Sequence, residues 1–204
     1  MVCHTPDMKN LYLRRKDYAE LEYLAELHQD EFIIDVPTPW EDPVAYEFFL
    51  SELKTALLIL DWIDEKSEDE ISSKFDVGPG DIQRIIETAE WLVHATYEIA
   101  RLFKFKDILP MLRVLENRIK KGVKQELLQI IKLRGVGRRR ARILFDAGYK
   151  TLSALKNAKE EELSRLPLIG RNMAAKILKQ IGKGSIKEGG TEKSQRQQKT
   201  LKDY

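Results

Sequence analysis

The 204-residue chain has a single cysteine, Cys3. A lone thiol cannot close an intrachain disulfide, and His4, His28 and His94 are too scattered to complete a metal-ligand set with it. Long apolar runs are also missing. The longest, 56–60, is far below the roughly 20 residues that a membrane-spanning helix needs. The N-terminus lacks the apolar region of a signal peptide, so the expected location is the cytoplasm, with no membrane partner. No Gly-x-x-x-x-Gly-Lys-Ser/Thr phosphate loop occurs, and no Asp-Glu-x-His box follows a strand. The string Gly182-Lys183-Gly184-Ser185 has the wrong spacing. No ATP site, catalytic residue or cofactor is therefore expected within this chain.

What is present is enough for a core. The hydrophobic fraction is 43%, which excludes wholesale disorder. The length suits one domain, or two small ones with a tail. The net charge of +2 is a cancellation: residues 1–100 carry 8 basic and 23 acidic side chains, and the remainder carries 27 and 10. An asymmetry of this size points to a polyanion partner for the second half, or to a dipolar molecule packed on itself.

The periodic segments read as helices, so the predicted class is all-α. The spacing predicts helices over 17–27, 52–63, 81–103 and 107–121. Three prolines interrupt residues 28–46, where Phe32, Ile33 and Ile34 form a short apolar anchor. Thr38-Pro39-Trp40-Glu41 and Ser67-Glu68-Asp69-Glu70 both have capping-box form. Asp81 is placed to cap the long helix after the Gly78-Pro79-Gly80 turn. Residues 124–147 and 159–181 each read as helix, tight turn, helix. From Lys183 onward Gly, Ser, Lys, Gln and Glu dominate and no apolar period survives. The expected domains are a helical bundle over 1–121, a hairpin module over 122–182 and a disordered basic tail over 183–204.

Two features suggest nucleic acid. The turns Leu133-Arg134-Gly135-Val136-Gly137 and Leu166-Pro167-Leu168-Ile169-Gly170 each lead directly into a helix. Glycine permits the tight turn, and exposed amides at a positive helix N-terminus suit phosphate. Gly135, Gly137, Gly170, Arg138, Arg139, Arg140, Arg142 and Arg171 are the candidate contacts; the alternative is a helix stop followed by a solvated basic face. The second hairpin has Leu168 in place of a glycine, so it is expected to hold phosphate less well or to act as a packing partner.

On the helix over 81–103, Ile82, Ile85, Ile86, Ala89, Leu92, Val93, Thr96, Ala100 and Phe103 form one stripe. Trp91 projects from nearly the opposite side, with Arg84 two turns earlier in almost the same direction. An aromatic and a cation on one ridge suit stacking on unpaired bases. The alternative is that Trp91 packs against a neighbouring domain.

The residues Lys54-Thr55-Ala56, Asp61-Trp62-Ile63, Pro79-Gly80-Asp81 and Ala89-Glu90-Trp91-Leu92 resemble the ratchet domain of archaeal superfamily-two DNA helicases. These are of the Holliday-junction-migration (Hjm) type, related to the helicase part of polymerase theta. Gly135-Val136-Gly137 with Arg140-Ala141-Arg142 resembles that family's C-terminal helix-loop-helix domain, and the likeness covers residues 4–182. It implies that a long helix crosses the strand channel, with Arg84 and Trp91 contacting bases as a pawl. It implies that Arg140 and Arg142 grip the exiting strand and restrain unwinding. It also implies that ATP and magnesium belong to motor domains lying upstream, and that the parent acts on single-stranded and forked DNA in repair and recombination.

Other classes leave weaker marks. A helix-hairpin-helix glycosylase would place a catalytic Asp after a hairpin, whereas Gly78-Pro79-Gly80-Asp81 precedes both. A nuclease would need clustered acids and a metal; Asp64, Glu65, Glu68, Asp69 and Glu70 read instead as a solvated acidic surface. The last residues fit Gln-x-x-apolar-x-x-aromatic, so Gln198, Leu201 and Tyr204 are candidates for binding a sliding clamp.

Overall fold

The computed structural model describes residues 2–182. Helices account for all the regular structure among them. Helix α1 (Tyr18–Leu27) leads through an irregular stretch to α2 (Pro43–Ile63). Helix α2 begins nine residues before the apolar segment that predicted it. Its N-cap is Asp42, whose carboxylate accepts from the Ala45 amide at 2.9 Å, with Pro43 in the first turn. The Thr38 hydroxyl instead bonds the Glu41 carboxylate within a turn upstream, so the Thr38 capping box closes a turn and starts no helix. Proline at a first helical position suits either site; the free carboxylate of Asp42 decides between them.

Helix α3 (Glu68–Phe75) opens on the capping box at Ser67, as the sequence predicts. Helix α4 (Pro79–Leu102) is capped by Gly78 rather than Asp81, whose side chain makes no cap hydrogen bond. It runs antiparallel to α5 (Leu109–Lys121) as a helical hairpin. Ile82, Ile85, Ile86, Ala89, Leu92, Val93 and Ala100 of α4 are buried, joined by Leu58, Ile59 and Ile63 of α2 and by Ile71 and Phe75 of α3. Phe103 leaves the predicted stripe: the helix ends before it, and it lies 70% exposed, stacked on Phe105. A smaller core joins α1 to the start of α2 through Leu21, Ala25, Phe49 and Leu50. Phe32 meets Phe49 edge-on at 5.1 Å, whereas Ile33 is exposed, so the apolar anchor is one residue. The buried Lys54 ammonium pairs with Asp17 at 2.7 Å and donates to the Tyr12 carbonyl, tying the entering chain to α2.

The rest forms a separate core. The first element of hairpin one is two short 3₁₀ turns (Gln125–Leu127 and Ile130–Lys132), not an α-helix. Then come α6 (Arg138–Asp146), α7 (Leu152–Lys156), α8 (Glu160–Ser164) and α9 (Arg171–Gly182). Leu127, Ile130, Leu133, Leu144, Leu155, Leu163, Ile169 and Ile177 are almost fully buried within it.

Candidate nucleic-acid interface

Trp91 is 56% exposed on α4, a large aromatic outside every apolar cluster. Its neighbours Leu92 and Val93 are buried, so the helix cannot rotate to hide the indole without exposing them. Arg84 stands seven residues earlier, about 10 Å along the axis. Its side chain is 42% exposed, and Asp81 lies 3.6 Å away. Thr88 and Ala95, the small residues of this face, leave both larger side chains proud.

The two hairpin loops are built as near-twins. Gly135 has φ +82 and Leu168, its counterpart, has φ +59. A Cβ on Gly135 would come within 2.9 Å of the Met173 methyl on α9, but that is the free end of a flexible side chain, so the left-handed backbone rather than space favours glycine there. Arg140 spans the two loops: Nη1 donates to the Gly135 carbonyl and Nε to that of Leu168, each at 2.8 Å. Gln180 of α9 closes the tie by accepting the Arg134 amide and donating to its carbonyl. Open space surrounds the Cβ positions of Gly137 and Gly170, at the N-termini of α6 and α9. Packing therefore does not demand glycine at either position, and a ligand's backbone could approach both closely.

The arginine run divides. Arg139 and Arg171 are exposed. The Arg138 guanidinium carbon lies over the Trp62 ring, 4.4 Å from its centroid, and the group faces Glu68 of α3 at 4.0 Å. Burial there lowers its pKa from the ordinary arginine value. Arg142 turns away from the hairpin glycines to Glu65 at the end of α2, with Nε and Nη2 each on one carboxylate oxygen at 2.8 and 2.7 Å. Nη2 also reaches Glu126 at 2.9 Å. The expected grip of Arg138 and Arg142 on phosphate thus meets a physical obstacle, because both guanidinium groups face the bundle.

The acidic cluster is likewise no mere solvated surface. Glu65 and Glu68 pair with the basic module, Asp64 lies 3.6 Å from Arg118, and Glu70 serves the Ser67 cap. Glu68 and Asp69 also form one wall of a cleft of about 440 Å³ whose other wall is 137–140 with Leu168. An anion at hairpin one would face those carboxylates, whereas Gly170 and Arg171 lie outside this cleft. Among the described residues, no group of three or more His, Cys, Asp and Glu side chains is placed to hold a metal ion, and no helix is long and apolar enough to cross a membrane. Gln198, Leu201 and Tyr204 lie outside the described residues.

Sequence reasoning named Trp62 only within a motif and Glu65 only within an acidic surface, and missed their pairing, with Glu126, to α6. One signal was available. Arg138 and Arg142 are spaced i, i+4, so they share a face of α6, while Arg139 points elsewhere.

An all-helical bundle joined to paired hairpins defines a helix-hairpin-helix protein of composite build. Residues 1–122 match the family model described as archaeal helicase, domain 4, and residues 126–183 match that of the SAM-like helix-hairpin-helix tandem. The chain belongs to the archaeal helicase domain 4 family. Its relatives include the ATP-dependent DNA helicase Hel308 of Methanocella arvoryzae, 44% identical over 90% of this chain and 25% of that protein. The Hel308 of Thermococcus kodakarensis is 37% identical over 89% of this chain and 16% of its own length. That of Pyrococcus horikoshii is 39% identical, over 88% and 24%. The chain therefore spans about a quarter or less of these relatives.

Proposed function

We propose that this chain is the strand-handling part of an ATP-dependent DNA helicase that works at forked DNA in repair and recombination. The observation that carries this reading is the half-exposed Trp91 on a helix locked by its buried face, with Arg84 on the same ridge. An unpaired base stacks on the indole, and the guanidinium meets a phosphate or a second base. Stacking tolerates the acidic bundle, because it depends on a π-face rather than on net charge. The hairpin module, residues 122–182, contributes the electrostatic part chiefly through Arg171 and the open backbone at Gly170, together with the exposed Arg139; Gly137 faces Glu68 and Asp69 across the cleft. Arg140 supports them by fixing the two loops together. ATP hydrolysis with magnesium belongs to motor domains outside this chain, and a hairpin module gripping the exiting strand restrains their unwinding. The cytoplasm, at the nucleoid, is the corresponding location.

The test is a titration of single-stranded, duplex and forked DNA at two salt concentrations with wild type and Trp91→Ala. The expected loss is about 1–3 kcal/mol of single-strand affinity, roughly tenfold or more. Stability should change little, since the indole lies outside the apolar clusters. Equal single-strand affinity for the two proteins would reject the ridge as a base contact.

A further inference from the structure

Between bundle and hairpin module lies a seam that the strand-binding reading does not use. Its centre is the fork from Arg142 to Glu65. The same carboxylate accepts the Lys124 amide at 3.0 Å, so one side chain holds both α6 and the connector that leads to it. Glu65 does so from φ +72, a left-handed conformation that strains a non-glycine residue. Glycine would end α2 there at lower cost, but it has no carboxylate to offer. One turn away on the same face of α6, Arg138 covers the Trp62 ring. The Trp62 indole N–H donates to the Ile119 carbonyl, and a Cβ on Gly122 would lie 2.7 Å from the ring.

We propose that Arg142 is a positioning residue: it latches the hairpin module to the bundle through Glu65 and so fixes where the hairpin loops stand relative to the Trp91 ridge. The charge asymmetry of the chain is partly spent inside the molecule, across this seam. Arg142 accordingly contributes no phosphate contact of its own. The latch stands whether or not the ridge and the loops meet DNA.

The experiment uses the full chain, with Arg142→Ala, Arg142→Lys and Glu65→Gln. The first readout needs no DNA. Trypsin cleavage after Lys121, which ends α5, and Lys124, in the connector, should rise at least tenfold in Arg142→Ala and in Glu65→Gln, with helix content unchanged. Arg142→Lys keeps the charge but loses the fork, so its cleavage rate should lie between wild type and Arg142→Ala. The second readout separates positioning from simple stability. Affinity for strands long enough to reach both ridge and hairpins should fall in Arg142→Ala and Glu65→Gln alike. Affinity for short strands, and the salt dependence of binding, should stay at wild-type values. The proposal is overturned if Glu65→Gln leaves connector cleavage at the wild-type rate. It is overturned equally if Arg142→Ala lowers the salt slope by about one ion, the mark of a lost phosphate contact. If Arg142→Ala does not fold, Glu65→Gln alone decides the first readout, since it retains every basic residue.

Discussion

Single residues carry several of the constraints that shape this chain, and Leu168 is the clearest. It occupies the position that Gly135 fills in the other hairpin, with its backbone also left-handed at φ +59 and its side chain 58% exposed. The Arg140 bond to its carbonyl does not depend on the side chain. Replacing Leu168 with glycine should remove backbone strain while losing little buried surface. The greater freedom of glycine in the unfolded chain offsets part of that gain. The expected result is a stabilisation of about 0.5–1 kcal/mol, read as a higher urea midpoint at unchanged slope.

At the scale of elements, much of the architecture was legible. Helical periodicity named the long helix and its buried stripe, and the Ser67 capping box marked a true start. Trp91 stood out because it broke the stripe, and it is exposed in the fold for that reason. The misses have local causes. Apolar periodicity begins late in α2, because its first turns carry Val44, Tyr46 and Phe48 on partly exposed faces; only the Asp42 cap marks the true start. The lead-in to hairpin one is apolar enough to mimic a helix, yet it folds as two 3₁₀ turns. The pairing of Arg142 is a different case. Its partner Glu65 lies 77 residues away in sequence, and no local pattern announces such a pair. A run of arginines reads as a surface for phosphate until the opposite wall is known.

At the scale of the whole molecule, the near-neutral total hides charge that is partly cancelled across the seam. Burial works to raise the pKa of Glu65, but the hydrogen bonds from Arg142 and the Lys124 amide outweigh it and hold the group below its ordinary value. Glu126 follows the same pattern, burial opposed by its bond from Arg142. Carboxylates depressed on folding contribute stability that is fully present above their unfolded pKa. That contribution is lost as pH falls through their lowered folded values. The seam should therefore be closed at neutral pH and open on acidification through and below the usual carboxylate range. Hydrogen-exchange protection of the Lys124 amide, corrected for intrinsic exchange, should fall in that window in wild type. In Glu65→Gln it should be low throughout.

The placement of Trp62 gives the molecule an optical gauge of its own. The chain has three tryptophans. Trp40 is 90% exposed, Trp91 stands on the ridge, and Trp62 is held between Arg138 and Gly122. With Trp40 and Trp91 both replaced by phenylalanine, all remaining indole emission comes from the seam. Parting of the two modules would lift the guanidinium from the ring and admit water, shifting that emission to the red. A chain keeping only Trp91 would instead answer to an arriving base, so hinge and ridge can be followed as separate colours of one protein.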